Sequence, residues 1–235
     1  MKKKFLGLVI TTTLIVLGCS NSTPSSASIS PDKEQSSTEN IINLSNDKHK
    51  LTIPVSSVPE LQEYLKQYSA EEQEAEKKRM QIDSFTIDQK TIYFVLKYSC
   101  GTKLCNTILL KKSGDDLQTR SLLETVTFAG YQFSPDQKKL ALMFGRNEGT
   151  EVNRETILVV NTGDLKTIVG KETTNNTIYQ SLFNGEVGLP ILQYSWKDSS
   201  TIEAIVPKIN STAYDDIKKW QDNHGEKQTL TIRYE

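Results

Sequence analysis

One short pattern recurs along this chain and limits what it can fold into. Phe85-Thr86-Ile87-Asp88 leads to Thr91-Ile92, and Phe133-Ser134-Pro135-Asp136 leads to Lys139-Leu140. Leu44-Ser45-Asn46-Asp47 leads to Lys50-Leu51 in the same rhythm, and Ser195-Trp196-Lys197-Asp198 leads to Thr201-Ile202 with its first two positions changed. Each unit reads as a strand end, a polar turn begun by aspartate, and a new strand. An aspartate carboxylate can accept a hydrogen bond from the backbone two residues on, which favours the turn. The restarting strands then alternate. Ile92, Phe94 and Leu96 oppose Tyr93 and Val95, and Leu140, Leu142 and Phe144 oppose Ala141 and Met143. Both faces of these two strands are apolar, so they are predicted to be interior strands covered on both sides. A chain with this spacing is mainly β and antiparallel.

The third unit extends furthest. Tyr131 to Gly145 is followed by Thr156-Ile157-Leu158-Val159-Val160-Asn161 and a Thr162-Gly163 turn. This stretch resembles one blade of a WD40-like β-propeller of the periplasmic Tol type, with Gln137 in place of the usual turn glycine and Asn161 in place of an aspartate. The likeness is good over residues 131–169, looser over 82–123, and extends in outline to 206. It implies a small or incomplete β-propeller-like assembly, because a closed ring needs at least about four four-stranded blades. A β-sandwich is the alternative.

Two accessory helical regions interrupt the strands, near 58–80 and 212–222. Val58, Leu61, Tyr64, Leu65 and Tyr68 share one helical face, with Ser57 as a candidate cap. Ser69 and Glu72 have the spacing of a capping box. In the second region Tyr214, Ile217 and Trp220 should face inward, with Ser211 or Thr212 as cap and Gly225 as terminator.

The N-terminus reads differently. Lys2, Lys3 and Lys4 precede an apolar run from Phe5 to Leu17. That run makes about 20 Å of helix, short of a bilayer core of about 30 Å. A charged start and a short apolar middle form an export signal over residues 1–18. Its end, Val16-Leu17-Gly18-Cys19, resembles the lipobox of bacterial lipoproteins. The resemblance implies cleavage before Cys19, acylation of Cys19, and a protein anchored by lipid to the cell membrane on its extracytoplasmic side. Residues 19–40 are rich in Ser, Thr, Asn and Pro, with Ile29 as the one aliphatic side chain larger than alanine. Such a segment cannot bury enough surface to offset its ordering entropy, so a disordered tether is expected. These segments leave residues 41–235 as one β-rich domain, whose apolar content is close to the 36% of the whole chain.

Charge and cysteines narrow the classes further. The net charge is -1, and without the three signal lysines 25 basic groups face 29 acidic ones, giving -4. That balance argues against a nucleic-acid partner. With Cys19 acylated, Cys100 and Cys105 remain, at the neck of a predicted hairpin loop. A disulfide is favoured in an exported protein. Free thiols, a redox pair and a metal role are the alternatives, and a metal would need two more ligands, which only His49 and His224 could supply.

No catalytic constellation is legible, and neither a cofactor nor a metal site is expected. His224 beside Gly225 reads as a helix-end group, and His49 falls in the first hairpin turn. The polar stretch 145–155 and the insertion 171–190 are expected to be surface loops. Tyr179, Leu182 and Phe183 in the insertion are candidate partner-binding side chains, or caps on the open end of a sheet. The expected function is a non-enzymatic binding or interaction module of the cell envelope, whose partner is an envelope protein or peptide. An envelope hydrolase built from scattered carboxylates and His224 is the alternative, and a sensor or inhibitor of a membrane complex is a third reading.

Overall fold

The computed structural model describes residues 40–173 and 176–235. The expected export signal, Cys19 and the expected tether up to residue 39 lie outside the described residues. Within them the chain is mainly β, with four antiparallel sheets and four α-helices. Strand β1 (Ile41–Ser45) and strand β2 (Lys50–Pro54) form a hairpin. A short 3-10 turn and two helices follow, α1 (Pro59–Leu65) and α2 (Ala70–Arg79).

Three four-stranded sheets come next. The first is a meander of β3 (Gln81–Thr86), β4 (Thr91–Tyr98), β5 (Asn106–Ser113) and β6 (Asp116–Ser121). The second is a meander of β7 (Thr127–Phe133), β8 (Lys139–Glu148), β9 (Val152–Asn161) and β10 (Thr167–Ile168). The third departs from that order. Strand β11 (Gly170–Glu172) pairs with β14 (Lys227–Tyr234), which pairs with β13 (Thr201–Pro207), which pairs with β12 (Gln193–Trp196). Helix α3 (Thr177–Leu182) lies in the β11–β12 connection and α4 (Tyr214–Asp222) in the β13–β14 connection.

The turn chemistry follows the aspartates in three of the four units. Asp88 Oδ1 accepts from the amides of Lys90 and Thr91, both at 2.7 Å. Asp136 Oδ1 accepts from Lys138 N at 3.2 Å, and Asp198 Oδ1 from Ser200 N at 2.7 Å. In the first unit the neighbouring asparagine does this instead: Asn46 Oδ1 accepts from the amides of Lys48 and His49. Gln137, which stands where a glycine is usual in the blade likeness, sits at φ +61°. Its carbonyl accepts from Thr162 Oγ1 at 2.8 Å, one of the contacts that hold it in that left-handed conformation.

Three apolar clusters link the sheets in chain order. Ile42, Leu51 and Ile53 of the hairpin and Val58, Leu61 and Leu65 at α1 cover one face of the first sheet at Phe94, Leu96, Ile108 and Leu110. The other face, at Phe85, Tyr93, Val95 and Leu109, packs on Leu140, Leu142, Phe144, Leu158 and Val160 of the second sheet. The far face of the second sheet, at Ala141, Ile157 and Val159, packs on Ile202, Ala204, Val206 and Ile232 of the third. Burial on both faces is the physical reason why β4 and β8 carry apolar side chains at successive positions.

Helix ends match the sequence in part. Ser69 and Glu72 form the reciprocal capping box. The cap of α1 is Val58, and the Ser57 hydroxyl donates to Pro54 O at 2.7 Å. Ala213 is the N-cap of α4, ahead of which the Ser211 hydroxyl accepts from Ala213 N.

Two expectations are corrected. The stretch 145–155 is not a long loop: β8 and β9 continue through it as a ribbon, paired out to Glu148 and Val152. The insertion contains α3, and its candidate partner-binding side chains are interior. Tyr179 is 4% exposed, Leu182 and Phe183 are 0% exposed, and all three belong to the cluster between the second and third sheets. Tyr179 donates its hydroxyl to Ile209 O at 2.7 Å, and Thr156 Oγ1 donates to Leu182 O at 2.9 Å. Their spacing of three and four residues places them on one helical face, and burying that face stabilises the fold more than exposing it to a partner could. Replacing Phe183 with Ala should therefore lower unfolding stability by about 3–5 kcal/mol, read from urea denaturation of the full chain. An unchanged midpoint would show that this side chain is not core.

Candidate functional site

Two clefts meet at the β8–β9 ribbon. The larger, about 810 Å³, is lined by the Ser99–Asn106 loop, by Glu124–Ala129 ahead of and within β7, and by ribbon residues including Arg146, Asn147, Asn153 and Glu155. The smaller, about 490 Å³, is lined by Asn153 and Glu155 again, by Pro190, Ile191 and Leu192, and by Trp220, His224 and Lys227. Asn153 and Glu155 thus form a partition shared by both. Each cleft is within the size range of small-molecule and peptide sites.

The walls are fixed by local chemistry. Cys100 and Cys105 are joined by a disulfide, as favoured from the sequence, and the loop they close borders the larger cleft. Its base is tied to the lead of β7: Cys105 N donates to Val126 O at 2.9 Å, and Val126 N returns a bond to Cys105 O at 3.0 Å. Thr127 Oγ1 donates to Lys103 O at 3.1 Å, and Arg79 Nη2 donates to Cys100 O at 2.6 Å. The ribbon is held from the other side by Arg154. Its guanidinium pairs with Glu148 and donates to Gly188 O at 3.0 Å and Thr212 O at 2.8 Å.

Glu155 is the half-buried group at the partition. Its Oε2 accepts from Ile191 N at 2.6 Å and its Oε1 from Asn153 Nδ2 at 2.9 Å. Burial raises its carboxyl pKa above the ordinary glutamate value, and the two hydrogen bonds oppose that rise without cancelling it. Gly145 allows this packing. A Cβ there would stand 3.0 Å from Arg154 O and 3.2 Å from Glu155 Cγ. A glycine inside a strand often marks such a close approach.

Left-handed backbone gathers here as well. Non-glycine residues at positive φ cost about 1–3 kcal/mol each and tend to cluster at functional sites. Among the described residues Ser99 (φ +50°) and Thr125 (φ +54°) line the larger cleft, and His224 (φ +48°) lines the smaller. The other two, Gln137 and Leu165, lie in the turns that follow β7 and β9. His224 is exposed and lies just past the C-terminal end of α4. Gly225 is held under the Trp220 indole, where a Cβ would come within 2.3 Å of Cδ1.

His49 has a partner that its sequence context did not show. Its Nδ1 lies 2.8 Å from Ser84 Oγ, and Asn46 Nδ2 donates to the same hydroxyl at 2.9 Å. Ser84 is buried, and this group fastens the β1–β2 turn to β3. Among the described residues no three His, Cys, Asp or Glu side chains gather as a metal would require. No described helix is long and apolar enough to cross a membrane.

No family model, curated protein or solved structure matches this chain.

The site carries its own pH test. A carboxyl whose folded pKa is raised contributes stability that is complete below the unfolded value and is lost as pH rises through the folded value. Stability of the full chain should therefore fall on this account between the ordinary glutamate pKa and the raised one. Glu155→Gln should flatten that part of a denaturation-versus-pH profile. A variant profile parallel to the parent across that window would contradict the assignment.

Proposed function

We propose that this chain is a membrane-anchored extracytoplasmic lipoprotein whose β domain is a non-enzymatic binding module for an envelope protein or peptide. The observation that carries the reading is the pair of clefts sharing Asn153 and Glu155. They are walled by a disulfide-closed loop and by turns in costly backbone conformations. Walls of mixed polar and apolar surface, one of them cross-linked, suit a site that recognises a ligand by shape and hydrogen bonding. The anchor rests on the order of Lys2–Lys4, the apolar run, Gly18 and Cys19. Acyl chains contribute about 0.8 kcal/mol per buried CH2, and several of them hold a protein stably at a bilayer.

The architecture part of the proposal is an incomplete propeller-like assembly. Two up-and-down four-stranded sheets, a third of the same size, and face-to-face packing in chain order support it. A hydrolase is the second reading, favoured by Glu155 and His224 lining the same 490 Å³ cleft.

One experiment in living cells tests the main reading. A photo-reactive residue at Asn147 should crosslink a specific envelope component, and one at Lys90 in the β3–β4 turn should not. In the same cells Cys19→Ala should release the protein from the membrane or leave an uncleaved precursor. Equal crosslinking from both positions, or a processed Cys19→Ala protein that stays on the membrane, would count against the reading.

A further inference from the structure

The larger cleft has one wall that is a strand edge. Strand β7 pairs with β8 on one side only. At its far end Gln132 is occupied: Nε2 donates to Tyr194 O at 3.1 Å, and its carbonyl accepts from Trp196 Nε1 at 3.2 Å. At its near end the disulfide loop takes the edge at Val126, which pairs with Cys105, and Lys103 O accepts from Thr127 Oγ1; beyond that bridge Thr127 and Ala129 remain exposed and line the cleft. Phe128 faces Phe144 and Gly130 faces Met143, so Ala129 is an extra residue with no opposite number. A bulge of this kind bends the edge locally. An edge strand with free backbone is a template for an added extended segment.

Charge gives the chemistry of that segment. Lys103 projects from the disulfide loop and Arg146 from β8, so the two cations stand on different walls of one cleft. Neither side chain has an ion pair or a side-chain hydrogen bond among the described residues, whereas Arg154, opposite Arg146 in the ribbon, is fully engaged. The carboxylate of Glu155 is turned to Ile191 N and Asn153, which leaves Glu124 as the other anion of the lining. A uniform polyanion would meet Glu124, whereas spaced carboxylates could meet the two cations and avoid it.

We infer that this cleft binds an acidic peptide in extended form, laid along the β7 edge at Thr127–Ala129 with its carboxylates between Lys103 and Arg146. The inference rests on the binding-module reading and gives it a ligand class. Backbone pairing supplies affinity in this mode, and the flanking cations select the sequence.

The probe is a fluorescein-labelled decapeptide of alternating Glu and Thr, added to the detergent-solubilised full chain and followed by anisotropy. It should bind, and more weakly as salt is raised. The Lys103→Glu, Arg146→Glu double variant should weaken binding about tenfold or more. Circular dichroism should show that variant folded, and Lys48→Glu, Lys90→Glu should bind as the parent does. A Lys-Thr decapeptide should not compete. No binding of the acidic peptide, binding indifferent to the cleft reversal, or equal displacement by inorganic polyphosphate of matched charge would overturn the inference. If crosslinking from Asn147 in cells persists while the peptide fails, the ligand class falls and the binding-module reading stands. Loss of that crosslink removes the reading itself.

Discussion

The constraint on which everything else depends is that β4 and β8 are apolar on both faces. A strand of that kind cannot sit in a sheet with one side in water, so each of the first two sheets must be covered twice. The chain meets this by stacking: hairpin and α1 on the first sheet, the first on the second, the second on the third. The third sheet closes the series differently. Its outer face is partly exposed at Glu203 and Ile205, and its inner face is completed by α3 through Tyr179, Leu182 and Phe183. The insertion is therefore part of the core's boundary.

Stacking fixes the sheets and leaves their connecting ends free to differ. The β4–β5 loop is closed by a disulfide, the β8–β9 ribbon extends, and the β13–β14 connection carries α4. These three connections supply most of the walls of the two clefts. The ribbon stands between the other two because its sheet is the middle layer, and so Asn153 and Glu155 face both clefts. Burial of Glu155, the glycine at 145 and the Arg154 clamp all follow from that middle position.

Much of the fold is legible in the sequence because its signals are local. Asp88, Asp136 and Asp198 begin turns through their own side chains, Ser69 and Glu72 cap a helix, and the both-faced strands announce their burial. Cys100 and Cys105 lie close enough in sequence for their pairing to be read. The clefts were not legible, since Ser99, Thr125, Asn153 and His224 come together only through the stacking. The polar ribbon 145–155 reads as loop because its pairing depends on register with a partner strand rather than on its own alternation. The insertion did carry a usable signal: Tyr179, Leu182 and Phe183 recur at helical spacing after Asn176, whose side chain accepts from Ile178 N at 3.0 Å. That spacing points to a buried helical face and favours the cap on a sheet over the partner-binding surface.

A shared core between successive sheets makes a specific claim about cooperativity, because no sheet can lose its packing without uncovering the next. Native-state hydrogen exchange of the full chain in mild denaturant measures this most directly. With a shared core, the central-strand amides of β4, β8 and β13 should exchange slowly and merge into one common opening as denaturant rises. A sheet whose central strand opens at its own, lower free energy while the others stay protected would contradict it.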